Sequence, residues 1–306
     1  MTLHITKASE PIEVKNITAC IYAVPGLGKT TLAFTANKPL VLDFDKGAYR
    51  SGNRGDTVVV ESWADVESIT QADLANYETV VVDTAGRALD ALTSAIIARN
   101  PKMGRGGALT LQGFGELKAA FIAWTRLLRS FGLDVVLVAH SDEQRAGDDL
   151  IERLDMQGGS KNEVYKAADL MGRLYLKDGK RMLNFSPTDT SFGKNPAQLP
   201  PLAVPHFSQS PRFLGEVIET IKRALNHFSE EQTKVAGLLA DWNARLEEVT
   251  GKDDLDAVLP AVQKADPLVL DMVKRLLKQK ARKLGFQYSI ETGGFEKLQP
   301  KKERAA

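Results

Sequence analysis

The 306-residue sequence has few of the residues that stabilise a fold covalently or through a metal. It contains one cysteine, Cys20, which excludes a disulfide within the chain, and its four histidines are scattered. No apolar run approaches the length of a membrane-spanning helix. The first residues, "MTLHITKASEPIEV", lack the apolar segment of a signal peptide. We therefore expect no Cys/His metal cluster, no membrane contact, and the cytoplasm as the compartment.

Neither sign of charge dominates, since 40 lysines and arginines face 39 acidic residues and the net charge is +1. The composition therefore gives no global evidence for nucleic acid or a membrane surface as a partner, and electrostatic arguments have to be local. A chain of this length can bury one sizeable core and carry a second, smaller unit.

Short apolar runs alternate with helical patterns in the first two thirds of the chain, which is typical of a parallel sheet covered by helices. We predict strands at residues 18–24, 39–44, 57–62, 78–84 and 134–140, with an edge hairpin at 172–186. Helices are predicted at residues 29–36, 87–99 and 115–131. The fold class is therefore α/β with a mostly parallel central sheet.

Six prolines interrupt regular structure between residues 187 and 211, and the pattern beyond them is helical. Ser229 and Gln232 match a capping box, which predicts a helix start there, and Asp266 precedes a last, basic helix. We divide the chain into a core (1–200), a proline-rich linker (201–212), a small all-α domain (213–295) and a disordered tail (296–306).

The stretch "AVPGLGKTT" fits the phosphate-loop pattern G-x-x-x-x-G-K-[ST], except that Ala23 replaces the first glycine. That position needs a small side chain more than a positive φ, so alanine is tolerable. Lys29 would reach the β- and γ-phosphates of ATP, and the Thr30 hydroxyl would bind Mg²⁺. The predicted nucleotide-binding residues are Pro25, Gly26, Leu27, Gly28, Lys29, Thr30, Thr31 and Asp83. The alternative is a strand-turn-helix that merely contains Gly-Lys-Thr.

Asp83 ends a strand with three consecutive valines, which is where a P-loop NTPase places the acid that holds the water shell of Mg²⁺. An aspartate at this position could instead cap the following helix, and the two roles could coexist. With Thr30, Asp83 completes the predicted metal site.

Two P-loop classes fit less well. The pair "GKTT" and "DTAGR" resembles the signal-recognition-particle GTPases, but their guanine-reading [NT]-K-x-D motif is missing after "DVVLVAH". Helicases and unfoldases of the AAA+ type usually carry a glutamate directly after the magnesium aspartate, where this chain has Thr84. The GTPase interpretation stays as a minority hypothesis.

Residues 15–197 resemble the minimal RecA-like core of phage single-strand annealing proteins of the Sak type, often described as phage ATP-binding proteins. "VLDFDKGA" resembles the segment whose acid activates water, which implies that role for Asp45, although the family usually has glutamate. "VVLVAH" implies His140 as the γ-phosphate sensor, and "TDTSFGKNP" implies Lys194 as a finger reaching the neighbouring subunit's ATP. A solvated turn at Asp45 and a strand cap at His140 are the alternatives.

Two segments correspond to the DNA-binding loops of RecA-like proteins. Residues 98–115 are rich in glycine and contain Arg99, Lys102 and Arg105 without any acid, so we expect a stretch that cannot fold alone and becomes ordered on a phosphate backbone. In the second, which begins at residue 141, acids weaken the pattern and leave Arg145 and Lys161 as phosphate contacts. An ordinary flexible loop is the alternative for both.

The resemblance implies an ATP-binding, ATP-hydrolysing DNA recombination protein. It would bind single-stranded DNA and assemble head to tail, as a filament or ring, with ATP and Mg²⁺ at the subunit interfaces. A single-strand-binding protein is a further candidate partner, and a phage-encoded chain would act in the host cell's cytoplasm. The alternative is a nucleotide-gated adaptor or loader for phage replication, whose C-terminal helices hold a partner.

Overall fold

A computed structural model describes residues 6–7, 10–146, 149–156 and 160–298. The chain divides into two compact units. One is Val14–Leu225, and the other consists of the residues from Asn226 onwards together with those before Val14. Within the described residues, no helix is both long enough and apolar enough to cross a bilayer.

A nine-stranded sheet forms the centre of the first unit, in the order β11-β10-β9-β1-β7-β4-β2-β3, with β8 paired to β7. The six strands from β9 to β3 run parallel, whereas β8, β10 and β11 pair antiparallel. A separate small hairpin is formed by β5 and β6. The strands are β1 (Thr18–Ala23), β2 (Pro39–Asp43), β3 (Thr57–Val59), β4 (Thr79–Asp83), β5 (Gly104–Arg105), β6 (Ala108–Leu109), β7 (Asp134–Ala146), β8 (Asp149–Leu154), β9 (Leu170–Lys177), β10 (Lys180–Asn184) and β11 (Leu202–Ala203).

Helices cover both faces of this sheet, which is why β1 and β4 are buried along their whole length. One face packs against apolar residues of α3 and α4, and the other against α1 and the first turns of α6. The helices of this unit are α1 (Lys29–Ala33), α2 (Ala64–Glu67), α3 (Ala85–Arg99), α4 (Leu111–Ser130) and α5 (Ser160–Ala167), and α6 (Phe213–Glu247) begins in it. The predicted mostly parallel α/β sheet is confirmed.

The proline-rich segment belongs to the first unit. Strand β11 lies within it and pairs with β10, and Leu199, Leu202 and Val204 pack against the core. After it, the N–H of Leu214 donates to the Thr35 hydroxyl (3.1 Å). The prolines prevent a helix, but the apolar residues between them still cover the sheet. The division between the units therefore falls inside α6, at residues 225 and 226, and not in the predicted linker.

The second unit contains the rest of α6, α7 (Lys252–Gln263), α8 (Leu270–Lys283) and a hairpin of β12 (Phe286–Ser289) and β13 (Gly294–Lys297). Its core includes Trp242, Leu255, Val273, Leu277 and Phe295. The predicted helical region is confirmed. The β12–β13 hairpin was not predicted, and it contributes Phe295 to the core of this unit. Of the predicted tail, residues 296–298 are described and the rest lie outside the described residues.

The predicted helix start at Ser229 is wrong, because α6 continues through this residue without a break. The Ser229 hydroxyl instead accepts a hydrogen bond from the N–H of Ile12 (2.9 Å). Although Ser229 belongs to a capping-box pattern, it therefore makes a tertiary contact within a long helix and does not start a new one.

Candidate functional site

The loop between β1 and α1 has the backbone shape that phosphate binding requires. Gly26 and Gly28 adopt φ values of 85° and 82°, in the left-handed region, and α1 begins at Lys29 without a side-chain cap. A Cβ atom on Gly28 would lie 2.8 Å from Nη1 of Arg181, so conformation and close approach both require glycine there. Successive backbone N–H groups in such a turn form a concave site for an anion.

Lys29 is buried at the base of this loop. Its Nζ donates to the carbonyl oxygens of Ala23 (2.9 Å) and Val24 (3.0 Å) and lies 3.1 Å from Nδ1 of His140. Burial lowers the pKa of Lys29 to about 8, and the negative charge of Asp83 opposes that shift. The ammonium group is thus held by two neutral carbonyl groups, which a phosphate oxygen can replace with a stronger, charge-assisted bond.

Thr30 and Asp83 contact each other directly. The Thr30 hydroxyl donates to Oδ2 of Asp83 at 2.7 Å. Burial raises the pKa of Asp83 to about 6, and the charges of Asp43 and Asp45 add to this, while the bond from Thr30 and the charge of Lys29 act against it. Thr84, and not Asp83, caps α3 by accepting from the N–H of Arg87. The capping role considered for Asp83 is therefore taken by its neighbour.

One hydroxyl and one carboxylate fit Mg²⁺ in the form it takes with nucleotides, since this ion is commonly held by one or two carboxylates together with substrate phosphates and water. Among the described residues, no group of three or more His, Cys, Asp or Glu side chains could hold a metal by itself. The donor set of Thr30 and Asp83 therefore fits Mg²⁺ that arrives with a phosphate ligand.

The two acids after β2 have different roles. Asp43 is buried, and its carboxylate accepts from the N–H groups of Gly47 (3.0 Å) and Ala48 (2.8 Å), which fixes the turn. Asp45 points between two guanidinium groups, of Arg50 at 3.7 Å and Arg87 at 3.6 Å, with about a quarter of its side chain exposed (27%). A solvated turn therefore does not describe Asp43, whereas for the partly exposed Asp45 it stays an alternative.

The backbone holds Asp45 beside the magnesium site. The N–H groups of Phe44 and Asp45 both donate to the carbonyl oxygen of Asp83, at 2.7 and 3.1 Å. The negative charge of Asp45 also acts on the pKa of both Lys29 and Asp83. The ends of β2 and β4 thus bring this acid into the electrostatic environment of the phosphate loop.

His140 comes from β7, which lies between β1 and β4, and it pairs in register with Ala23. Burial lowers the pKa of His140, and the charge of Lys29 lowers it further. The imidazole is therefore mainly neutral at pH 7 and can donate or accept a hydrogen bond. The structure brings five predicted residues into one site: Lys29, Thr30, Asp45, Asp83 and His140.

Lys194 is held elsewhere in its own chain. Its Nζ donates to the carbonyl oxygens of Ala168 (2.7 Å) and Lys166 (3.4 Å), at the C-terminal end of α5. Its backbone N–H and C=O both bond to Met171 on β9. This contact caps the helix with a cation, and the action on a neighbouring subunit stays a prediction.

Arg181 is a candidate site residue that the sequence analysis missed. It lies on β10, half-buried, with Nη1 against Gly28 and Nη2 donating to the carbonyl of Pro205 (3.3 Å). Within the described part of the chain it forms no ion pair, although a guanidinium group has five donors. No sequence motif marks it, since only the β9–β10 hairpin brings it to the phosphate loop.

The first predicted DNA segment is folded, contrary to expectation. After a 3₁₀ turn at Pro101–Met103, β5 and β6 form a hairpin around Gly106 and Gly107, and Leu109 is buried. Thr110 then caps α4. Packing of Met103, Leu109 and Phe114 against the core, together with the helix cap, orders a stretch whose composition favours disorder.

The three cations of this segment differ. Arg99 pairs with Glu67 at 2.5 Å, so its charge is partly neutralised. Lys102 and Arg105 are exposed, and neither forms an ion pair with any residue the structure describes. Of the three predicted contacts, these two are available to a phosphate backbone.

The second predicted DNA segment is the β7–β8 hairpin, and Arg145 is exposed on β7. Glu152 does not oppose DNA as the sequence suggested. It is buried, accepts from the Ser141 hydroxyl (2.6 Å) and pairs with Arg173. Lys161 lies in α5, but its side chain is outside the described part of the chain.

The comparison with protein families supplies the identification. Residues 15–197 match the model of the AAA_24 family, described as an AAA domain, which covers more than half of the chain. The chain belongs to this family. It thus contains an AAA-type P-loop ATPase domain. Thr84 disfavoured helicases and unfoldases of the AAA+ type, but the match to an AAA domain shows that threonine at this position does not exclude the wider AAA class.

Solved structures add little to this assignment. A type III secretion system ATPase from pathogenic bacteria is 13% identical, with a TM-score of 0.35 over 52% of each chain. A KaiC-like protein from Pyrococcus horikoshii OT3 is 12% identical (TM-score 0.33; 55% of this chain, 76% of that one). The RadB recombinase is 14% identical (TM-score 0.31; 55% and 79%). TM-scores this low support no conclusion about the function of the chain. The chain spans about half of the secretion ATPase. No curated protein matches.

Proposed function

We propose that this AAA_24 protein is an ATP-hydrolysing DNA recombination protein of the single-strand annealing type. It binds single-stranded DNA and assembles head to tail with ATP at the subunit interfaces. The observation that carries the proposal is the continuity of β7. The same strand holds His140 against Lys29 and then extends into the hairpin with Arg145.

ATP binding would use groups that are already in place. The phosphates would replace the carbonyl oxygens of Ala23 and Val24 as partners of Lys29, and the turn at Gly26 and Gly28 would direct backbone N–H groups at them. Mg²⁺, when bound, neutralises charge on the β- and γ-phosphate oxygens. Thr30 and Asp83 would hold it there.

Hydrolysis needs a group that orients water and groups that stabilise the charge of the transferred phosphoryl. Asp45 would accept the proton of the attacking water, with Arg50 and Arg87 holding its carboxylate in position. Arg181 would add a positive charge from the same chain. Lys194 would add one from the next subunit, after leaving the carbonyl groups of α5.

Coupling to DNA would run along β7. A γ-phosphate that moves His140 would shift the strand on which Arg145 stands. The cluster of buried Ser141 and Glu152 with the half-buried Arg173 ties the root of the hairpin to β9 and would transmit this shift. Single-stranded DNA bound by the hairpin would in turn favour the arrangement that hydrolyses ATP.

The test is ATP turnover and particle size with and without single-stranded DNA. We expect DNA to raise turnover and a nonhydrolysable ATP analogue to produce large particles. Lys29→Ala should lose both effects, and Arg145→Ala on β7 and Arg105→Ala on β5 should each lose DNA stimulation. Lys177→Ala, an exposed lysine on β9 without an ion pair in the described structure, is the control. A monomer with an ATPase indifferent to DNA would reject the proposal and favour the adaptor or loader alternative.

A further inference from the structure

The end of the second unit has the element order of a DNA-reading module. Helix α7 is followed by a six-residue turn (264–269), then α8, then the β12–β13 hairpin. Asp266 fixes the turn, because its carboxylate accepts from the N–H of Leu268 and its carbonyl from those of Val269 and Leu270, all at 3.0 Å. Two helices joined by a short turn are the framework with which helix-turn-helix proteins place their second helix in the major groove.

Helix α8 has one buried face, formed by Val273, Leu277 and Ala281. The residues opposite that face are exposed and are Arg275, Lys278, Gln279 and Arg282. They follow a spacing of three or four residues, so they form a stripe along one side of the helix. The single acid of α8, Asp271, lies in its first turn.

Most cations of α8 have no carboxylate partner among the described residues of the second unit. Within residues 160–298, where the structure is continuous, Lys274, Arg275, Lys278, Arg282 and Lys283 form no ion pair. Two other lysines of the same unit are paired: Lys234 with Asp266 (3.2 Å) and Lys252 with Asp256 (2.6 Å). A row of cations without carboxylate partners is what phosphate binding needs, since each can release a counterion from DNA.

We propose that the second unit binds double-stranded DNA, with α8 as the recognition helix in the major groove and the β12–β13 hairpin beside it. Arg275 and Gln279 are of the types that bond to base edges, and Lys278 and Arg282 would contact phosphates. A duplex fits better than a single strand, because single-strand sites stack bases on aromatic side chains. Helix α8 has none, and the exposed aromatic of the hairpin, Tyr288, makes an edge contact with Phe295. This duplex site is distinct from the single-strand site proposed for the first unit.

The experiment uses the full chain without nucleotide. Binding of a fluorescently labelled duplex and of the matching single strand is followed by anisotropy at salt from about 50 to about 200 mM. Arg275→Gln with Arg282→Gln is compared with Lys102→Gln plus Arg105→Gln, which removes the same charge from the β5–β6 segment. All four positions are exposed, so both variants should fold, and circular dichroism checks this.

The α8 variant loses one proposed base contact (Arg275) and one proposed phosphate contact (Arg282). It should lose about tenfold in duplex affinity, and the slope of log affinity against log salt should become shallower by about 1. Its affinity for the single strand should be unchanged. The β5–β6 variant should instead lose affinity for the single strand and keep its affinity for the duplex. Wild-type protein that fails to bind the duplex, or an α8 variant that binds it with unchanged affinity and slope, would overturn the inference. Wild-type protein that binds the duplex but not the single strand would count only against the function proposed for the first unit.

Discussion

Lys29 Nζ lies 3.1 Å from Nδ1 of His140, between the phosphate loop and the strand that leads to the β7–β8 hairpin. The contact joins the group that would bind the γ-phosphate to the group that would sense it. It also explains part of the pKa shift of His140, since burial and the charge of Lys29 together disfavour the protonated imidazole. The protonation state of this pair should therefore affect ATP binding.

The first prediction concerns pH. Because burial lowers the pKa of Lys29 to about 8, its positive charge is lost as the pH rises through 8. ATP affinity of the wild type should therefore fall by about tenfold for each pH unit well above that value. Lys29→Arg keeps its charge at these pH values, so its affinity, although weaker at pH 7, should stay level to pH 9.5. Isothermal titration calorimetry would measure both. Parallel falls in the two proteins would contradict the assignment.

The second prediction concerns stability. Because burial raises the pKa of Asp83 to about 6, the folded state binds a proton more tightly than the unfolded chain, and ionisation of Asp83 costs stability as the pH rises through 6. Asp83→Asn should therefore increase the free energy of unfolding at pH 8 by up to about 3 kcal/mol, which corresponds to several degrees in Tm. Asparagine can still accept the bond from Thr30.

Thermal unfolding without nucleotide at pH 8 and at lower pH would check this. The advantage of the variant should shrink as the pH falls below 6, where the wild-type carboxyl becomes protonated. Stabilisation by Mg²⁺ with ATP should be lost in Asp83→Asn at every pH. A variant less stable than wild type at pH 8 would show that the carboxylate stabilises the fold and would contradict the prediction.

The third prediction concerns Arg181. If its guanidinium stabilises charge that develops during hydrolysis, Arg181→Gln should lower kcat by about 100-fold or more with a smaller change in KM, because the interaction strengthens in the transition state. Arg181→Lys should recover part of the rate. Lys180→Gln, an exposed neighbour on the same strand, is the control. A change confined to KM would make Arg181 a binding residue only.

The sequence predicted much of this site because its signals are local. The phosphate loop, the strand before Asp83 and the strand before His140 are each short segments in which residue order and chemistry coincide. Parallel strands bring their carboxyl ends to one edge of the sheet, so these segments meet without any knowledge of distant contacts. That is why Lys29, Thr30 and Asp83 could be named from the residues themselves, whereas Asp45 and His140 were implied by the resemblance to RecA-like proteins.

The features that were missed depend on tertiary contacts. Arg181 reaches Gly28 only because β10 pairs with β9, more than 140 residues along the chain from the loop. The proline-rich segment looked like a linker, yet Leu202 pairs into the sheet, and Glu152 turned inward to meet Arg173. Composition indicates the structure that a segment prefers in isolation. Burial against a distant partner decides the structure that it adopts in the fold.

The last prediction concerns Lys194, which in this structure bonds to carbonyl groups of its own chain. If it acts on the next subunit, Lys194→Ala should abolish turnover while keeping ATP binding, whereas Lys29→Ala should lose binding itself. Mixing the two inactive proteins should then restore activity. In a head-to-tail assembly, about a quarter of the interfaces would combine an intact Lys29 with an intact Lys194 from the neighbour. Turnover in the mixture near a quarter of the wild-type rate would support action in trans. A mixture as inactive as its components would leave Lys194 with the role that its contacts already describe, the cap of α5.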